Sequence, residues 1–558
     1  MSTVAAPSLW GSLALLPTRT VPQIVREQAD RQPDAAAFQM VEERPLTYRQ
    51  LYDEACALAA GLRDAGVMRG DAVVVFGPNS LEVVLSWLAI NLLGAVEVCI
   101  NTAYRGAPLV HALNSARARH MIAFGEQLSL VHEVEGQLTF LEQALVVGQP
   151  PRESASSKLK CMDFHALRQR GSAKEIRDEG VHGHEQTTAS DIASIIYTSG
   201  TTGPAKGVLM PHAQVCMLAA TTARGLKLAG DDVFYCFHPM FHMAGKFMAV
   251  LGTLMAGGRV VLDRSFAPDQ WLKRIRDAGA TAGLAHGPMA EMIHAQPAKP
   301  DDHDNPMRRM IIAPFPTRIA RDFEQRFDLR GIEVWGMTEV GVPIWCSLDE
   351  PLNLGSCGRA DDELFDVGIV DPETDAMVAA KEVGELVVRP RLPWLLMQGY
   401  MGMAEETLGA WRNLWFHSGD SAYRDEDGNF YFVDRMKDRI RRRAENISSY
   451  EIESASLAHP AVSEAAAVGI ASDFQGDDDI KLCVVARQGE RIVPEELLAF
   501  LARQLPHYML PRYIETLAAL PRTPTNKIRK AELRRPGRAE VAWDRKMAGI
   551  QIRDFYGK

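Results

Sequence analysis

The feature that most constrains the fold is an alternation of short apolar runs with amphipathic stretches between residues 47 and about 285. The apolar runs, each of strand length, lie at 72–76, 95–100, 120–124, 192–197 and 259–262. Residues 80–93 and 268–278 have helical periodicity and separate some of these runs. This alternation is typical of an open α/β architecture, in which helices pack on mainly parallel sheets.

The length and the later pattern predict more than one domain, because 558 residues exceed what one core usually organises. From residue 355 to 434 the chain changes to short strands with close turns, and Asp427-Gly428-Asn429 marks a hairpin. We predict a large N-terminal domain at 1–434, which includes a small β-barrel-like subdomain at 355–434, and a small α+β C-terminal cap at 435–558.

Charge and cysteine content narrow the class of protein. The chain has 61 basic and 71 acidic residues, a net charge of −10, so no overall field attracts nucleic acid and we expect no such partner. The longest apolar run, 83–100, contains Asn91, Glu97 and a break at Gly94, which favours a buried helix and strand over a membrane span. Eight cysteines without a CxxC pair, and no targeting signal at either end, predict a cytoplasmic protein with reduced thiols.

The strongest local signal is a loop rich in Gly, Ser and Thr that follows the apolar run 192–197 and contains Lys206. Backbone N–H groups, hydroxyls and one ammonium at the end of a strand suit phosphate oxygens, and glycines permit close approach. The spacing is not that of a Walker loop, in which Ser or Thr follows the Lys, because Gly207 follows Lys206. A flexible surface turn is the alternative, but the position directly after a buried strand favours a phosphate loop.

The string YTSGTTGPAKG (197–207) resembles the phosphate-binding signature of the adenylate-forming, AMP-binding superfamily, which contains acyl-CoA synthetases, luciferases and peptide-synthetase adenylation domains. Further segments resemble that family in the same order: LGAVEVCINTAYRG (93–106), PMFHMAG (239–245), WGMTE (335–339), FHSGD (416–420), DRMKDRIRRRAEN (434–446) and LPRTPTNKIRK (520–530). WRNLWFHSGD and DRIRRRAENISSYEIE look closest to its crotonobetaine/carnitine-CoA ligase-like branch. The resemblance covers nearly the whole chain.

The resemblance implies an ATP site. Lys206 would act in catalysis, and the loop residues that would hold phosphate are Thr198, Ser199, Gly200, Thr201, Thr202 and Gly203. The adenine segment comprises Trp335, Gly336, Met337 and Thr338. Glu339 would be the Mg²⁺ ligand, because hard Mg²⁺ prefers carboxylates, and Asp420 would accept both ribose hydroxyls. Arg435 would support the sugar or the phosphates. Taken alone, a Trp is more often a core residue, and a Glu after GMT is as often a helix-start residue.

By the same resemblance, the cap carries groups that act in turn on the adenylate and on CoA. Lys527 would stabilise the transition state of acyl-adenylate formation, and Lys437 matches the hinge about which the cap rotates. The basic run 441–443 would meet CoA phosphates, with Arg441, Arg442, Arg443 and Ala444 as its contacts, although a solvated face is the more usual role of such a run. Ala444 stands where relatives carry Gly, and Asn526 likewise replaces a Gly.

The expected acyl pocket is apolar and is lined by His242, Met243, Gly245, His286 and Trp345. No acidic residue in this segment could pair with a substrate ammonium, which argues against an amino acid. A zinc site at His238 and His242 is disfavoured, because Pro239 interrupts a helix there and no third ligand is near. We expect Lys246 to extend outward from its apolar segment rather than to contact a polar end of the acid.

The resemblance therefore implies an ATP-dependent acyl-CoA ligase that uses Mg²⁺ and CoA and releases AMP and pyrophosphate. The alternative is an enzyme that adenylates an acid and passes the acyl group to an amine or a carrier instead of CoA. Whether the protein forms a homodimer stays open.

Overall fold

The structure is a computed structural model of the chain. It describes residues 13–149, 157–178, 187–198, 204–317, 319–435, 440–442, 445–447, 449–472, 477–521, 528, 530–534 and 542–556.

The strands within these residues run along the chain as follows: β1 Ala36–Met40, β2 Leu46–Thr47, β3 Ala72–Phe76, β4 Val96–Cys99, β5 His120–Phe124, β6 Gln143–Val147, β7 Lys160–Asp163, β8 Ile192–Thr198, β9 Lys206–Pro211, β10 Val233–Cys236, β11 Arg259–Leu262, β12 Ala282–His286, β13 Arg309–Ala313, β14 Arg330–Ile332, β15 Val334–Met337, β16 Gly341–Trp345, β17 Arg359–Ala360, β18 Phe365–Val370, β19 Gly384–Pro390, β20 Gly399–Tyr400, β21 Trp411–Arg412, β22 Trp415–Arg424, β23 Phe430–Arg435, β24 Ile440–Arg442, β25 Glu445–Ile447, β26 Val462–Ala471, β27 Asp478–Ala486, β28 Tyr513–Thr516 and β29 Trp543–Asp544.

The helices are α1 Val21–Arg31, α2 Tyr48–Asp64, α3 Leu81–Leu92, α4 Gly106–Ala116, α5 Gly125–Val134, α6 Phe164–Arg170, α7 Ala173–Asp178, α8 His212–Gly225, α9 Gly252–Ala256, α10 Trp271–Ala278, α11 Gly287–His294, α12 Ala320–Phe327, α13 Ala404–Ala410, α14 Ser449–Leu457, α15 Pro494–Ala502 and α16 Lys530–Leu533. A π-helical segment, Ala244–Leu251, leads directly into α9.

Two mainly parallel sheets form the N-terminal part. One has the order β14-β13-β12-β10-β11-β1-β2, and the other has the order β20-β9-β8-β4-β3-β5-β6-β7. Antiparallel pairing occurs at their edges, between β1 and β2 and along β8-β9-β20. The largest apolar cluster combines α3, α8 and the π-helical segment with strands of both sheets, such as Val73 and Phe234. The predicted α/β class is confirmed.

The apolar run 83–100 shows why the local sequence folds this way. Ser80 caps α3 by accepting a hydrogen bond from the N–H of Val83 at 3.2 Å. Residues 83–92 of the helix are all buried, as expected for a helix that is apolar on every side. The chain then turns at Gly94 (φ +67°) into the buried β4, so the prediction of a helix and a strand is confirmed. In the part of the chain that the structure describes, no helix is both long and apolar enough to cross a membrane.

The later sheets are largely antiparallel. Strands β18-β19-β22-β21 form one sheet, on which β23 pairs with β22 around the hairpin turn at Gly428 (φ +85°), as predicted. The cap sheet has the order β26-β27-β28-β29 and packs with α14 and α15 in its own apolar cluster. The domain boundaries at 355 and 434/435 remain predictions. All eight cysteines are free thiols.

The cap contacts the N-terminal part at residues 101–106. The Asn101 side-chain amide donates to the Tyr508 hydroxyl at 3.1 Å, and the Arg105 guanidinium lies 4.7 Å from the centre of the Tyr556 ring. The cap therefore lies at one end of the second sheet, just beyond β4.

Candidate active site

The predicted phosphate loop joins two paired strands. Strand β8 ends at Thr198 and β9 begins at Lys206, and these two residues are cross-strand partners in an antiparallel pair. The pairing brings Thr198 beside Lys206, two of the residues expected to contact phosphate. Ser199, Gly200, Thr201, Thr202 and Gly203 lie outside the described residues.

Lys206 and Glu339 meet at a third residue, Tyr400. The Lys206 ammonium lies 4.5 Å from the centre of the Tyr400 ring, and the Tyr400 hydroxyl donates to Oε1 of Glu339 at 3.0 Å. Tyr400 belongs to β20, which pairs with β9 so that Tyr400 lies opposite Val208. The expected phosphate cation and the expected Mg²⁺ ligand are thus assembled around one aromatic side chain.

The backbone around Glu339 is held by hydrogen bonds from two other segments. The side-chain amide of Gln214 in α8 donates to the carbonyls of Thr338 (2.9 Å) and Glu339 (3.1 Å), and the N–H of Met397 donates to the same Glu339 carbonyl at 2.9 Å. Glu339 is 6% exposed. A carboxylate fixed and buried in this way is prepared for a cation.

Close backbone approach explains the glycine in WGMTE. A Cβ on Gly336 would lie 2.3 Å from the carbonyl oxygen of Gly341, so any side chain would force β15 and β16 apart. Gly341 itself has φ +73°. Met337, the cross-strand partner of Gly341, is half-buried and Thr338 is buried. The tight hairpin fixes the path of the chain from Trp335 in β15 to Thr338 and Glu339 in the turn that follows it.

Trp335 and Asp420 are in direct contact. The Trp335 indole N–H donates to Oδ2 of Asp420 at 3.0 Å, and the two residues are only 6% and 2% exposed. Asp420 also lies opposite Arg435 in the β22–β23 pair, although the structure describes only the backbone of Arg435. The three residues predicted to hold adenine and ribose are therefore neighbours. The indole of Trp335 is buried, and its N–H is hydrogen-bonded to the same carboxylate that is expected to bind the ribose.

Glu385 of β19 positions the FHSGD segment that carries Asp420. One oxygen of Glu385 accepts from the N–H of Gly419 at 3.0 Å, and the other lies 2.8 Å from Nδ1 of His417. Gly419 adopts φ +70°, which favours glycine. The Ser418 hydroxyl accepts from the N–H of Asp420 at 3.1 Å and donates to the Leu386 carbonyl. Hydrogen bonds from three consecutive residues therefore hold the segment against β19.

Four of the residues predicted to line the acyl pocket come from the end of β12 and from the start of the π-helical segment. His286 ends β12, and its Nδ1 lies 3.2 Å from the carbonyl oxygen of Ala313, which ends β13. His242 lies 5.9 Å from His286 between ring centres. Met243 is buried, and Gly245 is required because a Cβ there would lie 2.6 Å from the carbonyl oxygen of Pro239. The histidines therefore form one group, with Met243 and Gly245 following directly.

Trp345, the fifth predicted pocket residue, lies beside an ion pair. Its indole N–H donates to the Val342 carbonyl at 2.7 Å, and its ring packs against Gly225 at the end of α8. It lines a cavity of about 310 Å³ together with the ion pair of Arg224 and Asp361. Its place in the acyl pocket remains a prediction.

The expectation that Lys246 extends outward is wrong. Lys246 is fully buried on the π-helical segment and forms an ion pair with Glu97 of β4, which is also fully buried. Oε2 of Glu97 accepts from the hydroxyl of Ser194 in β8 at 2.8 Å. Burial lowers the pKa of Lys246, but the nearby Cys99 and Glu97 outweigh this and raise it. The Lys246 ammonium is therefore neutralised by a carboxylate 149 positions away in the chain and not by solvent.

Among the cap residues, Arg442 has an unexpected role. It is 7% exposed, and its guanidinium donates to the carbonyls of Tyr508 (3.2 Å) and Leu510 (2.7 Å), so it holds the turn that contacts Asn101. Its contact with CoA, like that of Arg441, remains a prediction. Lys527, Lys437, Arg443, Ala444 and the side chain of Arg441 lie outside the described residues.

Three residues that hold the predicted site residues in place were not predicted from the sequence: Tyr400, Glu385 and Gln214. None of them lies in a segment with a phosphate-like or metal-like composition, and their partners are 61, 34 and 124 or 125 positions away. The one available signal was Gly399-Tyr400 within MQGYM, where an aromatic residue follows a glycine (φ +150°) outside any regular pattern.

Comparison with known proteins defines the class. Residues 25–401 match the AMP-binding enzyme family, and residues 451–527 match the AMP-binding enzyme C-terminal domain. The chain therefore belongs to the AMP-binding enzyme family, as the order of its motifs predicted.

Within that family it is an enzyme of the acyl-CoA synthetase group. It is 32% identical over 495 residues to feruloyl-CoA synthase from an Amycolatopsis species, covering 88% of this chain and 94% of the relative. It is 28% identical over 505 residues to crotonobetaine/carnitine–CoA ligase from Citrobacter koseri, covering 88% and 93%. Among solved structures, o-succinylbenzoate CoA synthetase from Bacillus subtilis superposes with a TM-score of 0.78 at 23% identity, covering 92% of this chain and 98% of that chain. The amide bond synthetase McbA from Marinactinospora thermotolerans superposes with a TM-score of 0.77 at 22% identity, covering 92% and 99%.

Proposed function

We propose that this protein is an ATP-dependent acyl-CoA ligase that activates an apolar carboxylic acid as an acyl-AMP and then transfers the acyl group to CoA. The observation that carries the proposal is the assembly of Lys206 and Glu339 around Tyr400, with Trp335 and Asp420 paired on the neighbouring strands. A cation, a buried carboxylate and an aromatic–carboxylate pair are the groups that triphosphate, divalent cation and nucleoside require.

In the first half-reaction, an oxygen of the substrate carboxylate attacks the α-phosphorus of ATP, and pyrophosphate leaves. Negative charge accumulates on the phosphoryl oxygens, so positioned cations lower the barrier. Lys206 supplies one cation beside the end of β8, and Lys527 of the cap supplies the second in this proposal. Asp420, with Trp335 and Arg435, orients the nucleoside so that the attacking and leaving oxygens lie in line.

The residues at Glu339 fit a Mg²⁺ ion. Two hydrogen bonds hold Glu339 in place. The Gln214 side-chain amide donates to its backbone carbonyl, and the Tyr400 hydroxyl donates to one of its two carboxylate oxygens. When bound, the ion would neutralise charge on the phosphates. Glu339 would hold it, and Tyr400 would hold Glu339.

In the second half-reaction, the CoA thiolate attacks the acyl carbonyl carbon, the bond to AMP breaks, and AMP leaves with the electron pair. Rotation of the cap at Lys437 would exchange Lys527 for the CoA-binding residues 441–444. We also propose that the enzyme acts in the cytoplasm, where thiols stay reduced, because all eight cysteines are free.

The decisive experiment is a panel of carboxylic acids with ATP, Mg²⁺ and CoA. Because the feruloyl-CoA synthase relative is named for an aromatic acid, the panel includes hydroxycinnamic, short-chain, medium-chain and polycyclic acids. We expect acid-dependent exchange of pyrophosphate into ATP, AMP as the nucleotide product and an acyl-CoA detected by mass spectrometry. Formation of ADP instead of AMP would reject the mechanism.

Transfer of the acyl group to an amine or carrier is the second candidate. Ala444 replaces a family glycine in the segment expected to meet pantetheine, and one structural neighbour is named an amide bond synthetase. Acid-dependent AMP formation without any thioester, in the presence of saturating CoA, would favour this candidate. An Ala444→Gly variant that gains thioester formation would locate the cause.

A further inference from the structure

Helix α4 lies beside the two ends of the predicted phosphate loop. The loop leaves β8 after Tyr197 and Thr198, and it returns to β9 through Ala205 and Lys206. Ala205 is buried, and its apolar cluster also contains four residues of α4: Leu109, Ala112, Leu113 and Ala116. The helix and the returning end of the loop therefore share one core.

A histidine of α4 contacts the returning end of the loop. Nε2 of His111 lies 2.8 Å from the carbonyl oxygen of Ala205. Because a carbonyl oxygen only accepts hydrogen bonds, Nε2 carries a proton and donates it in this contact. The peptide group that joins Ala205 to Lys206 is planar, so a bond to its carbonyl also fixes the direction of the Lys206 N–H. His111 thus holds the peptide group directly before the expected phosphate cation.

A tyrosine at the outgoing end of the loop contacts the same helix. The Tyr197 hydroxyl donates to the Ala112 carbonyl at 2.8 Å and lies 2.6 Å from the hydroxyl of Ser115. Ser115 follows His111 by four residues, so the two side chains lie on one face of α4. Tyr197 is the cross-strand partner of Gly207, and a Cβ on Gly207 would lie 3.4 Å from its ring. One helix therefore holds both ends of the loop.

We propose that His111 and Tyr197 are positioning residues, which hold both ends of the phosphate loop on α4 so that Lys206 is already in place when ATP binds. The proposal rests on the proposed function, because it concerns the loop that would bind ATP. A catalytic cation contributes most when the protein places it before the reaction, since no energy is then spent on moving it. Fixing the ends of a loop also reduces the conformational entropy that is lost when a ligand orders it.

The cap contact at the start of α4 offers a competing explanation for these hydrogen bonds. The Arg105 guanidinium lies 4.7 Å from the centre of the Tyr556 ring, and a Cβ on Gly106 would lie 3.4 Å from Oε1 of Gln504. A change in α4 that acts through the cap should slow the step that uses CoA. A change that acts through the loop should slow the step that uses the triphosphate, and a role in folding alone should affect both steps equally.

The test measures the two half-reactions separately, with the acid of highest kcat/KM in the panel. Acid-dependent pyrophosphate exchange at varied ATP reports on adenylate formation. Acyl-CoA formation from chemically prepared acyl-AMP and CoA reports on the second step, in which the β- and γ-phosphates take no part.

Four variants are compared with the wild type. His111→Leu removes the donor to Ala205, whereas His111→Gln supplies an amide N–H at a similar reach. Tyr197→Phe removes only the hydroxyl. His132→Leu is the matched control, because His132 is a half-buried histidine of α5 whose Nε2 has no hydrogen-bond partner among the described residues.

We expect His111→Leu to lower kcat/KM for ATP in pyrophosphate exchange about 5- to 30-fold, because a buried carbonyl loses its donor. Tyr197→Phe should lower the same quantity about 3- to 10-fold. His111→Gln should recover most of the loss, and His132→Leu should match the wild type. In every variant, KM for the acid and the rate of thioester formation from acyl-AMP should stay within about twofold of the wild type.

Wild-type exchange in both His111→Leu and Tyr197→Phe overturns the proposal. An equal fall in the two half-reactions also overturns it, as does a His111→Gln enzyme no better than His111→Leu. If His111→Leu does not fold, Tyr197→Phe, which lacks a single oxygen atom, decides in its place. A wild type without acid-dependent exchange for any acid of the panel refutes the proposed function itself, whereas wild-type exchange that these substitutions leave unchanged refutes the positioning role alone.

Discussion

Substitution of Tyr400 by phenylalanine isolates one contact in the proposed ATP site. The variant keeps the ring that Lys206 packs on and removes only the hydroxyl that donates to Glu339 at 3.0 Å. A hydrogen bond to a charged group contributes about 1.5–3 kcal/mol, and each 1.36 kcal/mol corresponds to about tenfold in rate. Because Glu339 is buried, we expect kcat/KM for acid-dependent pyrophosphate exchange to fall about 10- to 150-fold.

The assay is pyrophosphate exchange measured over a range of Mg²⁺ concentrations, since a less rigid Glu339 should raise the Mg²⁺ concentration required for half-maximal rate. Tyr423→Phe is the control, because Tyr423 stacks on Tyr431 at 4.8 Å in the antiparallel sheet, away from this contact. Tyr400→Leu, which also removes the surface under Lys206, should be more severe. A Tyr400→Phe enzyme within twofold of the wild type at every Mg²⁺ concentration would refute the reasoning.

Three further predictions address burial and charge. Lys246→Met should destabilise the N-terminal part by about 3–5 kcal/mol in urea unfolding, because it leaves Glu97 charged and buried. The double variant Lys246→Met/Glu97→Gln should recover part of this loss. Equal urea midpoints for the single and the double variant would contradict the prediction. Trp335→Phe removes the N–H that orients Asp420 and should raise KM for ATP about tenfold with little change in KM for the acid; an equal rise in both would instead indicate general disruption. Burial raises the pKa of Glu451 in α14 from its ordinary value of 4.5 to about 7. The folded cap therefore keeps a proton that the unfolded chain has already released, and the free energy of unfolding of the cap should fall by about 3 kcal/mol as pH rises from 4.5 to 7. Glu451→Gln should abolish that slope in urea titrations at pH 5 and pH 8.

The sequence was most informative where structure is local. The runs 72–76, 120–124 and 259–262 became β3, β5 and β11 with those bounds, because short β-branched segments between helices have few alternatives. The resemblance assigned Trp335 and Asp420 to one ATP site, and the structure brings these two residues into direct contact, although their roles toward the nucleotide stay predictions. Both predictions depend on patterns that lie within a single segment or in its order along the chain.

The failures share a physical cause. The sequence around Lys246 is apolar and offers no partner for its charge, so an outward, solvated side chain was expected. Its actual partner, Glu97 of β4, lies 149 positions earlier in the chain. Tyr400 and Glu385 act only through contacts that exist once distant strands pair. A single sequence contains no local signal for such contacts, since each depends on the packing of complete sheets.

Tyr400 also affects how Lys206 and Glu339 are held in the proposed site before a nucleotide binds. Lysine and glutamate that approach one another in an empty pocket tend to pair, and a substrate must then separate them. Here the ring face engages the ammonium and the hydroxyl edge engages the carboxylate, so each charge already has a partner that does not cancel it. In the proposed ATP site, little of the energy of nucleotide binding would then go into rearranging the protein, and the ammonium would stay available for phosphate oxygens and the carboxylate for Mg²⁺.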